Sequence, residues 1–232
     1  MDWYSFIILN RELIKILYGI ILVVICLVIV ARSHRLFKLS SYEGIRYFRN
    51  AFLFYAIAFI FRYILDSFIS YGIIDMGYTN LIRIVFEFFL IIAGFFLLYS
   101  LLWKRIEGSR GSFSSILNLR ILVFYGMAFI ITILDYTWNT YYFMFFSQII
   151  IFICAAIISY INYIRNGRKG RFLKFYFLAM ILALISGILN TAVAAYFNWD
   201  RGVLFFVYII NILIFLLFLY GIMRITNQPR GV

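Results

Sequence analysis

Proline occurs once in the 232 residues, at Pro229, so every apolar run lacks that helix breaker. Histidine also occurs once, as His34 in a basic loop, which leaves a His-based metal site without its usual ligands. The two cysteines, Cys26 and Cys154, lie inside apolar runs and read as buried thiols, not as a disulfide framework. No cofactor is expected. Charged residues make up only 13% of the chain, against about 25% in soluble domains. Reaction motifs are missing too: there is no HExxH, no Ser/His or Cys/His pairing in register, and no paired-aspartate motif of the intramembrane proteases. The segment EGSRGSFSS, Glu107 to Ser115, has neither the lysine nor the strand context of a phosphate loop. An enzyme is not expected.

What the chain has in excess is apolar surface, with 66% hydrophobic and 22% aromatic residues. Soluble domains hold about 45–50% apolar residues, so this excess belongs in lipid. About 20 apolar residues make one helical crossing, and the length allows about seven. The pattern places spans at 12–31, 47–70, 81–103, 117–137, 142–164, 172–197 and 203–224. Strands are excluded because the runs are too long and do not alternate. The start, MDWYSFIILNRELIK, has acidic Asp2 and no small-residue cleavage site, so the first helix is expected to remain. The expected fold is an all-α integral membrane protein, one seven-helix domain over residues 1–232.

The basic residues sort by side. Arg11, Lys15, Arg62, Arg83 and Arg201 fall towards one face and the other 16 of the 21 towards the opposite one. Short basic loops stay cytoplasmic, which puts the N-terminus outside and the C-terminus inside the cell membrane. Seven of the nine acids lie towards the outer side. Trp3, Trp138 and Trp199 at outer helix ends and Trp103 at an inner one fit interfacial belts. The net charge of +12 is therefore mainly a topology signal. Its expected partners are anionic lipid headgroups and a protein on the cytoplasmic face. Nucleic acid is disfavoured, since the basic residues come as short loops between spans.

Three weak matches point to duplication. IRYFRNAFLF (45–54) aligns without gaps over GRFLKFYFLA (170–179), VVIC (23–26) over IFIC (151–154), and LLYSLL (97–102) over FLYGIM (218–223). They occur in the same order and orientation. They imply a repeat over about 12–103 and another over about 142–224, joined by a linker helix at about 117–137, a 3+1+3 plan. Parallel repeats of this kind occur in transporters. The plan is similar to that of the SWEET and PQ-loop transporters of sugars and amino acids, although the Pro-Gln motif is absent. A retinal protein is disfavoured because the seventh span carries no lysine for a Schiff base.

Charges at membrane depth cost ~2.5–3.5 kcal/mol and point to function. Arg62 and Asp66 share a helical face in FIFRYILDSFI (59–69), and helix direction aims Arg62 back towards the bilayer centre. Their expected partners are each other, or Glu87 and Glu12. Asp66, Asp135 and Asn190 each follow an Ile-Leu pair near the outer end of an even-numbered span. With Asn211, Gln148 and Glu87 they could line an outward-facing vestibule. Asp135 reads more simply as an interface marker, whereas the inner half is dry and aromatic. Arg62, Asp66, Glu87, Asp135, Asn190 and Asn211 are thus the candidate ligand-binding residues. One-sided polarity favours a receptor-like protein that binds a small ligand and acts through a separate partner. A small-solute or ion-coupled transporter of 3+1+3 plan is the second reading.

Overall fold

The computed structural model describes residues 10–106, 119–165, 171–196 and 201–226. Among the described residues every regular element is helical. The seven helices are α1 (Arg11–Ser40), α2 (Glu43–Ser70), α3 (Thr79–Ile106), α4 (Leu119–Thr137), α5 (Tyr142–Arg165), α6 (Arg171–Tyr196) and α7 (Arg201–Thr226). All seven fall on the spans expected from the sequence. Six are long and apolar enough to cross a membrane, while the described apolar part of α4, Ile121–Thr137, is shorter. The protein is a helical, membrane-embedded one. Its backbone polar groups are bonded within each helix, which hydrocarbon requires.

Two boundaries differ from the sequence expectation. Helix α1 does not stop at the basic segment but continues through it to Ser40. Its length is about 45 Å at 1.5 Å per residue, well beyond a hydrocarbon core of about 30 Å. Nothing from Ala31 to Ser40 opposes helix, since the segment has no glycine or proline and is rich in arginine, leucine and lysine. Ser41 ends it in the left-handed region, φ 52°, with its N–H donating to Phe37 O at 2.8 Å. The second difference lies inside α2, where Ile60–Leu65 is π-helical. Asp66 N–H donates to Phe61 O, five residues back, so one surplus residue is carried in this turn.

Six helices close a ring in the order α1, α2, α3, α5, α6, α7, with α7 returning to α1. Helix α4 packs across α3 and α5 and takes no place in the ring. The α1–α2 seam is tightest at Gly19, where any Cβ would collide with that of Tyr63. The free cysteines sit on α1 and α5, Cys26 buried and Cys154 half-buried.

The corner between α3, α4 and α5 is fastened by polar groups. Asp135, fully buried at the end of α4, accepts the backbone N–H groups of Phe143 at 3.1 Å and Met144 at 2.7 Å. It also accepts the Thr140 hydroxyl at 3.0 Å. Its carboxylate therefore caps the α5 N-terminus, where free N–H groups and the helix dipole both favour an anion. Arg83 of α3 reaches the same turn: it donates to Glu87 Oε1 at 2.9 Å, to Asn139 Oδ1 at 2.7 Å and to the Thr140 carbonyl. Its guanidinium lies 4.0 Å over the Tyr141 ring.

Replacing the cap leaves buried N–H groups unpaired. Asp135→Ala is expected to lower stability by about 1–3 kcal/mol, and Asp135→Asn by less, because an amide oxygen still accepts one bond. Gly19→Leu is expected to cost a further independent ~1–3 kcal/mol by forcing α1 from α2. Thermal unfolding of the purified protein in lipid nanodiscs measures all three.

Candidate functional site

A cavity of about 620 Å³ lies inside the ring, walled by all six ring helices and by no residue of α4. Along α3 its wall runs from Phe86 to Leu97, about 16 Å of helix. Along α7 it runs from Phe205 to Phe218, about 20 Å. The cavity is thus longer than it is wide, and its axis follows the helices.

One end carries the charge. Arg62, on the π-helical turn of α2, lines the wall with its guanidinium 5.5 Å from the centre of the Phe86 ring and 5.7 Å from that of Tyr141. Among the described residues no carboxylate comes within ion-pair distance of it, and the guanidinium forms no hydrogen bond. Each aromatic face offers a cation about 0.5–2 kcal/mol. Two faces are therefore comparable with the ~2.5–3.5 kcal/mol cost of a charge at membrane depth. The rings can hold the charge, but a π face cannot satisfy the five N–H donors of a guanidinium. Lys15 of α1, the other cation in the wall, is neutralised by Asp66 at 2.5 Å and Glu12 at 3.7 Å. Among the described residues no Asp or Glu lines the cavity.

The middle level is polar but already bonded to itself. Ser186 donates to Asn211 Oδ1 at 2.5 Å, and Asn211 Nδ2 donates to the Tyr18 hydroxyl at 3.1 Å. Asn190 Nδ2 donates to the Ser186 carbonyl at 3.0 Å, and Gln148 Nε2 to the Leu90 carbonyl at 3.1 Å. Tyr18 stacks on Tyr208 at 4.1 Å and meets Tyr63 edge-on at 4.8 Å, so three phenols from α1, α2 and α7 share one stretch of wall.

The far end is aromatic. Phe52 packs edge-to-face on Phe215 at 5.7 Å and Phe218 at 5.2 Å, and Phe48 meets Tyr176 at 5.8 Å. Phe48, Phe52 and Tyr176 are buried. The Tyr176 hydroxyl is held by the Leu97 carbonyl at 2.9 Å and Ser100 Oγ at 3.2 Å. These rings form a floor on the side where α1 ends in its basic segment.

The six candidate residues therefore separate. Arg62, Asn190 and Asn211 line one cavity. Asp66 stands just behind the wall as the partner of Lys15, not of Arg62. Glu87 and Asp135 lie outside the cavity wall, one bonded to Arg83 and the other capping α5. The sequence reading missed Lys15, which sits one turn into α1 beside Glu12 and looks like a helix-end charge. It also missed Tyr18, Tyr63, Tyr208 and Ser186. Tyrosines near helix ends look like belt residues, and nothing local marks one that turns inward. Gln148 was legible as a buried amide in an otherwise apolar helix.

No family model matches the chain, and no solved structure matches it. Over 220 residues, 90% of this chain and 90% of the other, it is 26% identical to a protein of Archaeoglobus fulgidus described as an uncharacterized protein. That likeness extends over nearly the whole bundle and brings no activity with it.

Proposed function

We propose that this is a receptor-like membrane protein that binds a small ligand within its helix ring and acts through a separate partner. The observation that carries the reading is the cavity within the ring, with a guanidinium at one end and a packed aromatic floor at the other. Pockets of about 300–1,000 Å³, mostly apolar with a few placed polar groups, are the usual form of small-molecule sites. The one-sided distribution of basic residues supports an orientation with the Arg62 end outside and the floor towards the cytoplasm. On the inner face, the basic segment at the end of α1 and the loops near it hold anionic headgroups, at about 1 kcal/mol per charge, and dock the partner. A signal needs an element with two arrangements that the ligand can bias. The π-helical turn bearing Arg62 is suited to that, since such turns recur at functional sites.

Transport is the second reading, and one observation favours it. The ring order α1, α2, α3, α5, α6, α7, with α4 apart, is the order that two parallel three-helix repeats and a linker would take around a two-fold axis. Against it stands the aromatic floor, which leaves no polar path through the second half.

Single cysteines at Asn139 and Ser41 check the orientation. A membrane-impermeant maleimide is expected to label the first in intact cells and the second only after permeabilisation. A stability screen against a metabolite library, followed by flux assays in proteoliposomes, separates the two functions. A ligand at a hundredfold its Kd is expected to stabilise the protein by about 2.7 kcal/mol. No accumulation of that ligand in the vesicles is expected. Uptake that is lost in Arg62→Gln would overturn the receptor reading in favour of transport.

A further inference from the structure

The cavity's chemistry is layered along its length, and the layers narrow the ligand. We infer that it takes an amphipathic anion, a carboxylate or phosphate head on an extended apolar body, with the head at Arg62 and the body reaching the aromatic floor. The inference rests on the ligand-cavity reading above and adds the class of ligand to it.

Charge fixes the head. Among the described residues the wall contains two cations and no acid, and one of the cations, Lys15, is neutralised from behind by Asp66 and Glu12. Arg62 is left lining the cavity with aromatic faces on two sides and no hydrogen bond to its N–H donors among the described residues. A planar fork of this kind matches a carboxylate or phosphate edge with two parallel bonds. A cationic head would add a like charge to the same enclosed volume. A neutral polar head would leave the guanidinium with no directly bonded anion, only the more distant charges of Asp66 and Glu87.

Burial fixes the body. A sugar or other polyhydroxylated solute needs hydrogen-bond partners along its whole length. The amides and hydroxyls of the middle level are instead bonded to one another, Ser186 to Asn211, Asn211 to Tyr18 and Gln148 to the Leu90 carbonyl. Below them the wall is Tyr55, Leu97, Phe152, Met180, Phe215 and Phe218. From Arg62 to Tyr55 along α2 is about 10 Å, and from Phe86 to Leu97 along α3 about 16 Å. A single chain or narrow ring system of that length spans the cavity from end to end, whereas a small anion would leave most of it empty.

The test uses the full chain in nanodiscs of zwitterionic lipid, with tritiated dodecanoate as probe. Saturable binding is expected, with competition by dodecyl phosphate. Dodecanol and dodecyltrimethylammonium, which leave the guanidinium without an anion, and acetate, which lacks the apolar body, are expected to compete at least about tenfold more weakly. Arg62→Gln is expected to weaken dodecanoate at least about tenfold and to abolish its advantage over dodecanol. If that variant does not fold, Arg62→Lys serves: it should bind more weakly but still prefer dodecanoate to dodecanol. Ala183→Trp, which fills the deep part of the cavity, should weaken dodecanoate more than hexanoate. Acetate binding as tightly as dodecanoate overturns the apolar body, and dodecanol binding as tightly overturns the anionic head. If no dodecyl compound binds while other metabolites stabilise the protein and Ala183→Trp prevents it, the amphiphile falls and the ligand cavity stands. If nothing binds at all, the cavity reading falls with it.

Discussion

Hydrocarbon offers a peptide group no hydrogen bond, and the architecture answers to that constraint before any other. Each crossing must be a helix, and each charge a crossing keeps must turn towards protein. A ring of six helices does both at once. It presents apolar side chains such as Leu27, Phe146, Phe206 and Leu213 to its surroundings and surrounds a space where polar groups meet one another. Helix α4, excluded from that space, uses its polar end differently, as a buried cap on the next helix.

The charges of the ring's non-basic end fall into three tasks. Asp135, Arg83 and Glu87 fasten the corner between α3, α4 and α5 and are fully engaged there. Lys15 and Asp66 tie α1 to α2 at cavity level. Arg62 alone faces the interior with rings for neighbours. An ion pair fastens, because its partner is supplied by the chain. A guanidinium flanked by π faces keeps its donors unbonded, and that difference separates the groups that hold the bundle from the one that does not.

The helices were legible because a run of twenty apolar residues has few other fates. Their ends were less so: α1 runs through Arg32, Arg35 and Lys38, since basic residues are good helix formers once the chain leaves lipid. The π turn was invisible, as FIFRYIL contains neither proline nor glycine. It occurs where Gly19, 44 positions before Tyr63 in the chain, lets that ring press against α1. Arg62 stood out in the sequence because its residue type is costly in lipid. The roles of Asp135 and Glu87 did not, because they depend on the Phe143 and Met144 amides and on Arg83 being brought to them.

The surplus residue in Ile60–Leu65 also has a mechanical meaning. A π turn is to a helix what a dislocation is to a crystal: one extra unit stored locally, which can be expelled only by shifting everything beyond it. Tightening that turn to α geometry would rotate Asp66–Ser70 by about 100° and advance it by about 1.5 Å. The rotation would carry Asp66 off Lys15 and release α1 from α2 at the level of the cavity. Arg62 thus stands on the one π turn among the described residues, and the Lys15–Asp66 pair ties the helix to α1 just beyond it.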